Sequence, residues 1–477
     1  MLDYNNRLKM SKFKYILIGS LAFTTLFQSC QKQTFESPYA QLDPEAAFST
    51  ADRIGKTAVG MYDALQNREY FGGRVLIYAD IRGIDCSAGP YFNNVPNYNS
   101  LRSTEVIVED AFIGGYRTIN EANLFLKNIA KYSGIASPAD EAKYIAEAKF
   151  IRALSYFYLV NLWAQPYKFT SDASHPGVAL VLTASDSPFD ASNQVPRNSV
   201  KEVYDQIIKD LNEALPALPK VNSAARDISN VGRATQGAVN ALLARVYLYE
   251  QDYSKALEFA NKVISSNEYS LNASPKTTFT NYTSAESIFS VAHNGSDNPN
   301  TNNALNQHYS PNLRADIQVS SQFVDLMSND DARRKDLIIT QGTTYWNGKY
   351  TAIGDWAPVL RFSEMLLIKA EALANLASGS SVSSEALALV NQVRHRSDVN
   401  TTISATNKSQ LIAAILTERR IELAFEGHGI FEFLRTGRDI PAHGTFSTQK
   451  WGSNLVVFPF PYSETQQNPN LVQNPGY

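Results

Sequence analysis

Cysteine is nearly absent. The 477-residue chain holds two, Cys30 and Cys86, which excludes a disulfide framework and allows one bridge at most. Charge is dilute and balanced, with 43 basic against 46 acidic side chains, 19% in all and a net −3. That excludes a general attraction to nucleic acid and, beside 44% hydrophobic residues, a disordered or coiled-coil chain. No apolar run is long enough to cross about 30 Å of hydrocarbon as a helix. Motifs that carry chemistry are missing as well. The six histidines (His175, His293, His308, His395, His428, His443) form no HExxH or HxH pair, and there is no CxxC. No GxGxxG follows a strand and no GxxxxGK[ST] occurs, so a nucleotide site has no support. There is no GxSxG nucleophile elbow and no EF-hand pattern. No cofactor, no metal and no catalytic residue is therefore expected.

What is present begins with an address. Lys12 and Lys14 precede a 13-residue apolar stretch, Tyr15 to Phe27, that ends in Gln28, Ser29 and Cys30. Its length fits the h-region of a secretory signal, with Met1 or Met10 as the start. Cys30 follows a small residue at the h-region boundary and resembles the lipidated cysteine of a bacterial lipobox, although Phe27 stands where Leu is usual. The expectation is a signal over residues 1–29 and acyl chains on Cys30. At about 0.8 kcal/mol per buried methylene, several such chains would hold the protein on a membrane. Cys86 would then have no intramolecular partner.

Helical periodicity dominates the remainder. Apolar residues recur at three- and four-residue steps over Glu141 to Trp163, Ala238 to Tyr249, Tyr253 to Ile264, Phe362 to Leu376 and Ser384 to Arg396. Further helices are read at Ala51–Asn67, Tyr116–Ala130 and Ser199–Leu215. The pairs 238–264 and 362–396 share an Ala-rich first helix, a polar turn and a second helix with Lys-Ala-Leu or Glu-Ala-Leu. That is the pattern of tetratricopeptide-like hairpins, which need neighbours to bury their apolar faces. The fold class expected from these patterns is mostly α, a tetratricopeptide-like hairpin scaffold with irregular, loop-rich segments between the helices. Two long segments, Gly72 to Ser100 and Asn272 to Trp356, are rich in Asn, Tyr, Thr and Ser and read as functional loops. The tail from Leu455 to Tyr477 is apolar enough (VVFPFPY) to pack on the body.

The order and spacing of several elements resemble the SusD/RagB family of surface nutrient-binding lipoproteins of Bacteroidota. These are AEAKFIRALSYFYLVNLWAQPY at 146–167, VPRNSVKEVYDQIIKDLNEALPALP at 195–219 and GRATQGAVNALLARVYLY at 232–249. LRFSEMLLIKAEALANL at 360–376, NQVRHR at 391–396 and TERRIELAFEGHGIFEFLRTGR at 417–438 follow, then FPFPYSE at 458–464 and NPNLVQNPGY at 468–477. The chain departs from the family at Gly429, where Arg is usual, and at Glu432, where Asp is usual. The resemblance implies a mostly α fold in which tetratricopeptide-like hairpins cradle an irregular, loop-rich ligand-binding half, with a SusD-like N-terminal region at 30–220, a hairpin at 221–270 and a RagB/SusD C-terminal region at 271–477. It also implies location on the outer membrane, lipid-anchored and facing the exterior, as a lid on a SusC-type TonB-dependent β-barrel transporter. The cargo it implies is a glycan or, as the alternative, a peptide.

For cargo capture the loop aromatics matter, because a Tyr or Trp face covers the apolar face of a sugar while Asn, Asp and Arg reach its hydroxyls. The residues expected to bind ligand are Tyr91, Asn94 and Tyr98 in the first loop and His308, Tyr309 and Trp346 in the second. A platform of roughly 100 Å² at about 25 cal/mol per Å² gives around 2.5 kcal/mol before ordering costs. Trp163 and Trp451 read as core. The rival of another class is a surface glycoside hydrolase using Asp80 and Asp85 as its paired carboxylates. The ERRIEL element at 418–423 reads as intrahelical ion pairs over a buried apolar face, with Arg435 and Arg438 pairing to its glutamates or to carbonyls.

Overall fold

A computed structural model describes residues 43–92, 94–185 and 194–477. Cys30 and the signal segment lie outside these residues. Ten helices of eight residues or more carry the architecture among them: α1 (Ala51–Leu65), α2 (Arg74–Ile81), α3 (Val106–Lys131), α4 (Pro138–Trp163), α5 (Val200–Ala214), α6 (Gln236–Glu250), α7 (Tyr253–Ile264), α8 (Phe362–Leu376), α9 (Ser384–Ser397) and α10 (Lys408–Glu422). The helices start where side chains can satisfy the first free N–H groups. Ser137, Thr235, Asp252, Ser383 and Asn407 each accept from the backbone one turn on, and Ser199 forms a capping box with Glu202.

Packing follows the hairpin order: α1 lies on α3, α3 on α4 and α4 on α5, while α7 bridges α6 and α8, and α8 meets α9 and α10. From Ala146 onward α4 is buried on nearly every side, and α6 is similar, so both are central struts and not surface helices. The C-terminal tail closes against this centre as expected. Phe458 and Phe460 are fully buried, Trp163 Nε1 donates to the Pro459 carbonyl at 2.9 Å, and Asn474 Nδ2 donates to the carbonyls of Trp163 and Phe458 at 2.7 Å.

The segments read as loops hold more order than expected. Residues 74–81 (RVLIYADI) form α2, every residue of which is buried. The second segment contributes strands to two small antiparallel sheets. β1 (Cys86–Ala88), β3 (Ile317–Val319), β5 (Thr344–Asn347) and β4 (Ile338–Gln341) pair in that order, and β2 (Ser287–Val291) pairs with β6 (Ala357–Arg361). The first sheet joins the two long segments, because β1 comes from one and its partners from the other. α3 also begins ten residues before the periodic stretch that announced it, since Gly114 and Gly115 sit inside the helix, where Gly115 meets Leu159 of α4.

Candidate functional site

The end of β1 is where the two segments meet. Gly89 N–H donates to the Asp316 carbonyl at 2.6 Å, and Tyr91 follows in a single turn of 3₁₀ helix. Arg74, buried at the start of α2, donates Nη2 to Tyr91 Oη at 2.7 Å and to Asn303 Oδ1 at 2.6 Å. Tyr91 Oη in turn donates to the Asn302 carbonyl at 2.9 Å. The Arg314 guanidinium lies 4.1 Å from the centroid of the Tyr91 ring, a cation–π contact. Its Nε donates to Asp316 Oδ2 at 2.9 Å and its Nη1 to Asn302 Oδ1 at 3.3 Å, while the side chain stays 31% exposed.

Behind this pair, His308 Nδ1 meets Asp316 Oδ2 at 2.9 Å, and its ring lies 4.9 Å from that of Tyr91. Burial pulls the His308 imidazole below its ordinary value, so it is neutral at physiological pH with Nδ1–H as the donor. Burial opposes ionisation of Asp316, yet the hydrogen bonds from His308 and Arg314 hold its carboxyl below the usual range. The neighbouring Asn-rich loop is braced from within. Asn294 Oδ1 accepts from the N–H groups of Ser296 and Asp297, Asn298 Oδ1 from Asn300, and Asn300 Oδ1 from Asn302. The result is a pre-formed surface of planar donors and amides around one half-buried aromatic ring.

Of the six residues expected to bind ligand, the structure brings Tyr91, His308 and Tyr309 into one neighbourhood, and only Tyr91 keeps solvent-facing surface there. His308 and Tyr309 are 0% exposed. Tyr309 donates to Asp80 Oδ2 at 3.3 Å and packs on Tyr350 and Phe425. Tyr98 is also interior: it donates to the Arg82 carbonyl and lies under the Arg82 guanidinium, 4.3 Å away. These three anchor loops, a correction whose physical reason is that their rings offer nothing to solvent. Asn94 is half-buried, and its carbonyl accepts from Asn97 N–H at 2.8 Å. Trp346 lies on β5, two strands from β1, and is 7% exposed. Sequence reasoning missed Arg74, Arg314, Asn302 and Asn303. The Asn-rich composition marked the loop, but no periodicity distinguishes the arginines that its fold carries to Tyr91.

The paired carboxylates Asp80 and Asp85 are both engaged. Asp80 accepts from Gly427 N–H at 3.0 Å and from Gly429 N–H at 3.2 Å. Burial outweighs these bonds and pushes its carboxyl up to about 7. Gly427 has φ +81, and a Cβ on Gly429 would lie 2.8 Å from the Ala79 carbonyl oxygen, so this turn needs glycine where the family usually has Arg. Asp85 is clamped by Arg420 Nε at 2.6 Å. Both carboxylates brace the turn between α10 and the short helix Gly429–Leu434 against the end of α2.

The ion pairs of ERRIEL run between elements, which corrects the intrahelical reading. Glu418 meets Arg333 at 2.7 Å and Arg394 at 2.5 Å. Glu422 meets Arg396 at 2.6 Å, with Arg333 and Arg361 each at 3.0 Å. Arg419 and Arg435 share Glu432, and Arg435 also holds Glu371 at 2.6 Å. Arg438 donates Nη2 to the Glu432 carbonyl at 3.0 Å, as one of the alternatives anticipated.

Comparison with known proteins agrees with this architecture. Residues 343–477 match the SusD family model, and residues 36–248 match one described as starch-binding associating with outer membrane. A SusD-like protein of Formosa agariphila is 26% identical over 98% of this chain and 100% of its own length. Another from Bacteroides ovatus is 24% identical over 90% of this chain and 83% of its own. A SusD superfamily protein from Bacteroides fragilis, 29% identical, superposes with a TM-score of 0.78 over 89% of this chain and 99% of that one. A laminarin binding SusD-like protein, 24% identical, superposes with a TM-score of 0.72 over 90% of this chain and 100% of that one. The hairpin scaffold, the segments matched at both ends and the end-to-end relatives together establish that this chain belongs to the SusD/RagB family of carbohydrate-binding, outer-membrane-associated proteins.

Proposed function

We propose that this chain is a non-catalytic surface lipoprotein. It captures a glycan on the Tyr91–Arg314–Asn302 face and passes it to a SusC-type TonB-dependent transporter. The observation that carries the binding face is the Arg314 guanidinium held 4.1 Å over the half-buried Tyr91 ring, on a loop braced by its own asparagines. A ring edge, a planar fork of donors and exposed amides suit a polyol that must be recognised and then released. The laminarin-binding relative of the same fold supports a glycan over a peptide. Lipidation at Cys30 supplies the anchor, which faces the cell exterior. Asp80 and Asp85 are structural in this reading, because each already holds a neighbouring segment in place.

Glycan-array binding by the purified protein tests the face. Tyr91→Ala and Arg314→Ala should each weaken the strongest glycan roughly 10-fold or more, as expected for losing ~1.5–3 kcal/mol of stacking and charge-assisted bonding. Unchanged binding in both variants would remove the ligand from this face.

A further inference from the structure

A cavity of about 240 Å³ lies apart from the Tyr91 face, between the end of α2, α10 and the short helix Gly429–Leu434. It opens to solvent beside the exposed residues Thr417, Arg438 and Pro441. Two polar atoms of its lining are buried without a hydrogen-bond partner among the described residues: Arg419 Nη1, on a side chain 0% exposed, and His428 Nδ1, on a residue 5% exposed. An unpaired guanidinium N–H is costly, and so is an unpaired imidazole nitrogen, so a cavity lined by both residues is shaped for something that pairs them.

The charges show what that something is. Asp85 is committed to Arg420, Glu432 lies between Arg419 and Arg435, and Asp80 accepts from two backbone N–H groups. Arg438 at the opening meets Thr436 Oγ1 and the Glu432 carbonyl, and it makes no ion pair among the described residues. The resident carboxylates are thus each satisfied: Glu371 and Glu432 balance Arg419 and Arg435, so the charge in surplus is that of Arg438, and Arg419 Nη1 adds a donor without an acceptor. The remaining wall is apolar, built by Ile84, Leu423, Phe425 and Phe433. We propose that this cavity binds a small organic carboxylate, whose charged head is taken by the arginines and whose carbon body lies against the apolar wall. A phosphate dianion fits less well, because it brings a second charge toward Asp85 and Glu432 and has no body for the wall. This proposal does not rest on the glycan reading, since none of its residues belongs to the Tyr91 face.

Isothermal titration of the purified protein tests it, with n-butyrate and D-glucuronate as carboxylates of apolar and hydroxylated body, n-butanol as a neutral control and inorganic phosphate as the rival anion. One carboxylate should bind at a single site, its body identifying the source, while butanol and phosphate should not. Arg438→Gln should weaken that binding about 10-fold at an unchanged Tm, because Arg438 is exposed and outside the buried ion-pair network. Arg314→Ala should leave it untouched, so failure here and failure of the glycan face are separable. The proposal is overturned by silence from both carboxylates, by binding of phosphate alone, by equal binding of butanol, or by wild-type affinity in Arg438→Gln.

Discussion

Arg314 and Tyr91 hold each other, and each is held by a third group. Asp316 positions the guanidinium and Arg74 the phenol, so neither moves freely to meet a ligand. Binding to such a pair should therefore be selective for geometry and lose little free energy to ordering of the protein. Another residue makes a sharper prediction about pH. Glu250 closes α6; burial first, then the like charges of Asp205 and Asp252, push its carboxyl up to about 7. A carboxyl raised in the folded state favours the protonated form, so its contribution to stability is present at low pH and is lost as pH climbs toward 7. Glu250→Gln removes that titration. Urea unfolding at pH 5 and pH 8 should show a smaller fall in the variant, with a gain on the order of 1–2 kcal/mol at pH 8. An identical fall in both proteins would contradict the assignment.

Between elements, a buried ion pair joins α6 to α8. Arg245 donates Nε and Nη2 to Glu364 at 2.7 and 2.6 Å, and both side chains are 1% exposed. Arg245→Met alone strands a buried carboxylate and should cost about 3–5 kcal/mol. The double variant Arg245→Met/Glu364→Leu should recover most of that loss, which thermal unfolding of the two would show. Elements of this kind also mark what the sequence could and could not disclose. α7 and α8 were readable to the residue, because each has an apolar stripe or a run of helix formers between clear boundaries. α2 was not, because RVLIYADI is buried on all sides and carries no alternation of polar and apolar faces. The ERRIEL pairs misled for a related reason. Four-residue spacing suggests neighbours on one helix, whereas Glu418 and Glu422 reach arginines up to 89 positions away in sequence. The candidate site was half legible: composition pointed to the two loops, but which aromatic stays exposed depends on the sheet that brings β1 beside β3.

Taken whole, the molecule offers no helix among its described residues that is long and apolar enough to cross a membrane. Under the proposed function, attachment to the outer membrane falls to Cys30. Cys30→Ser should move the protein from the membrane fraction to the medium and abolish incorporation of labelled palmitate. Retention on the membrane by the variant would contradict the anchor. The most direct test of the central claim is titration of the purified protein with its strongest array glycan, followed by mass analysis of the recovered ligand. The account predicts saturable binding that weakens at least about 10-fold in Tyr91→Ala/Arg314→Ala, with every glycan molecule returned intact. Cleavage of the glycan, or equal affinity in the double variant, would contradict it.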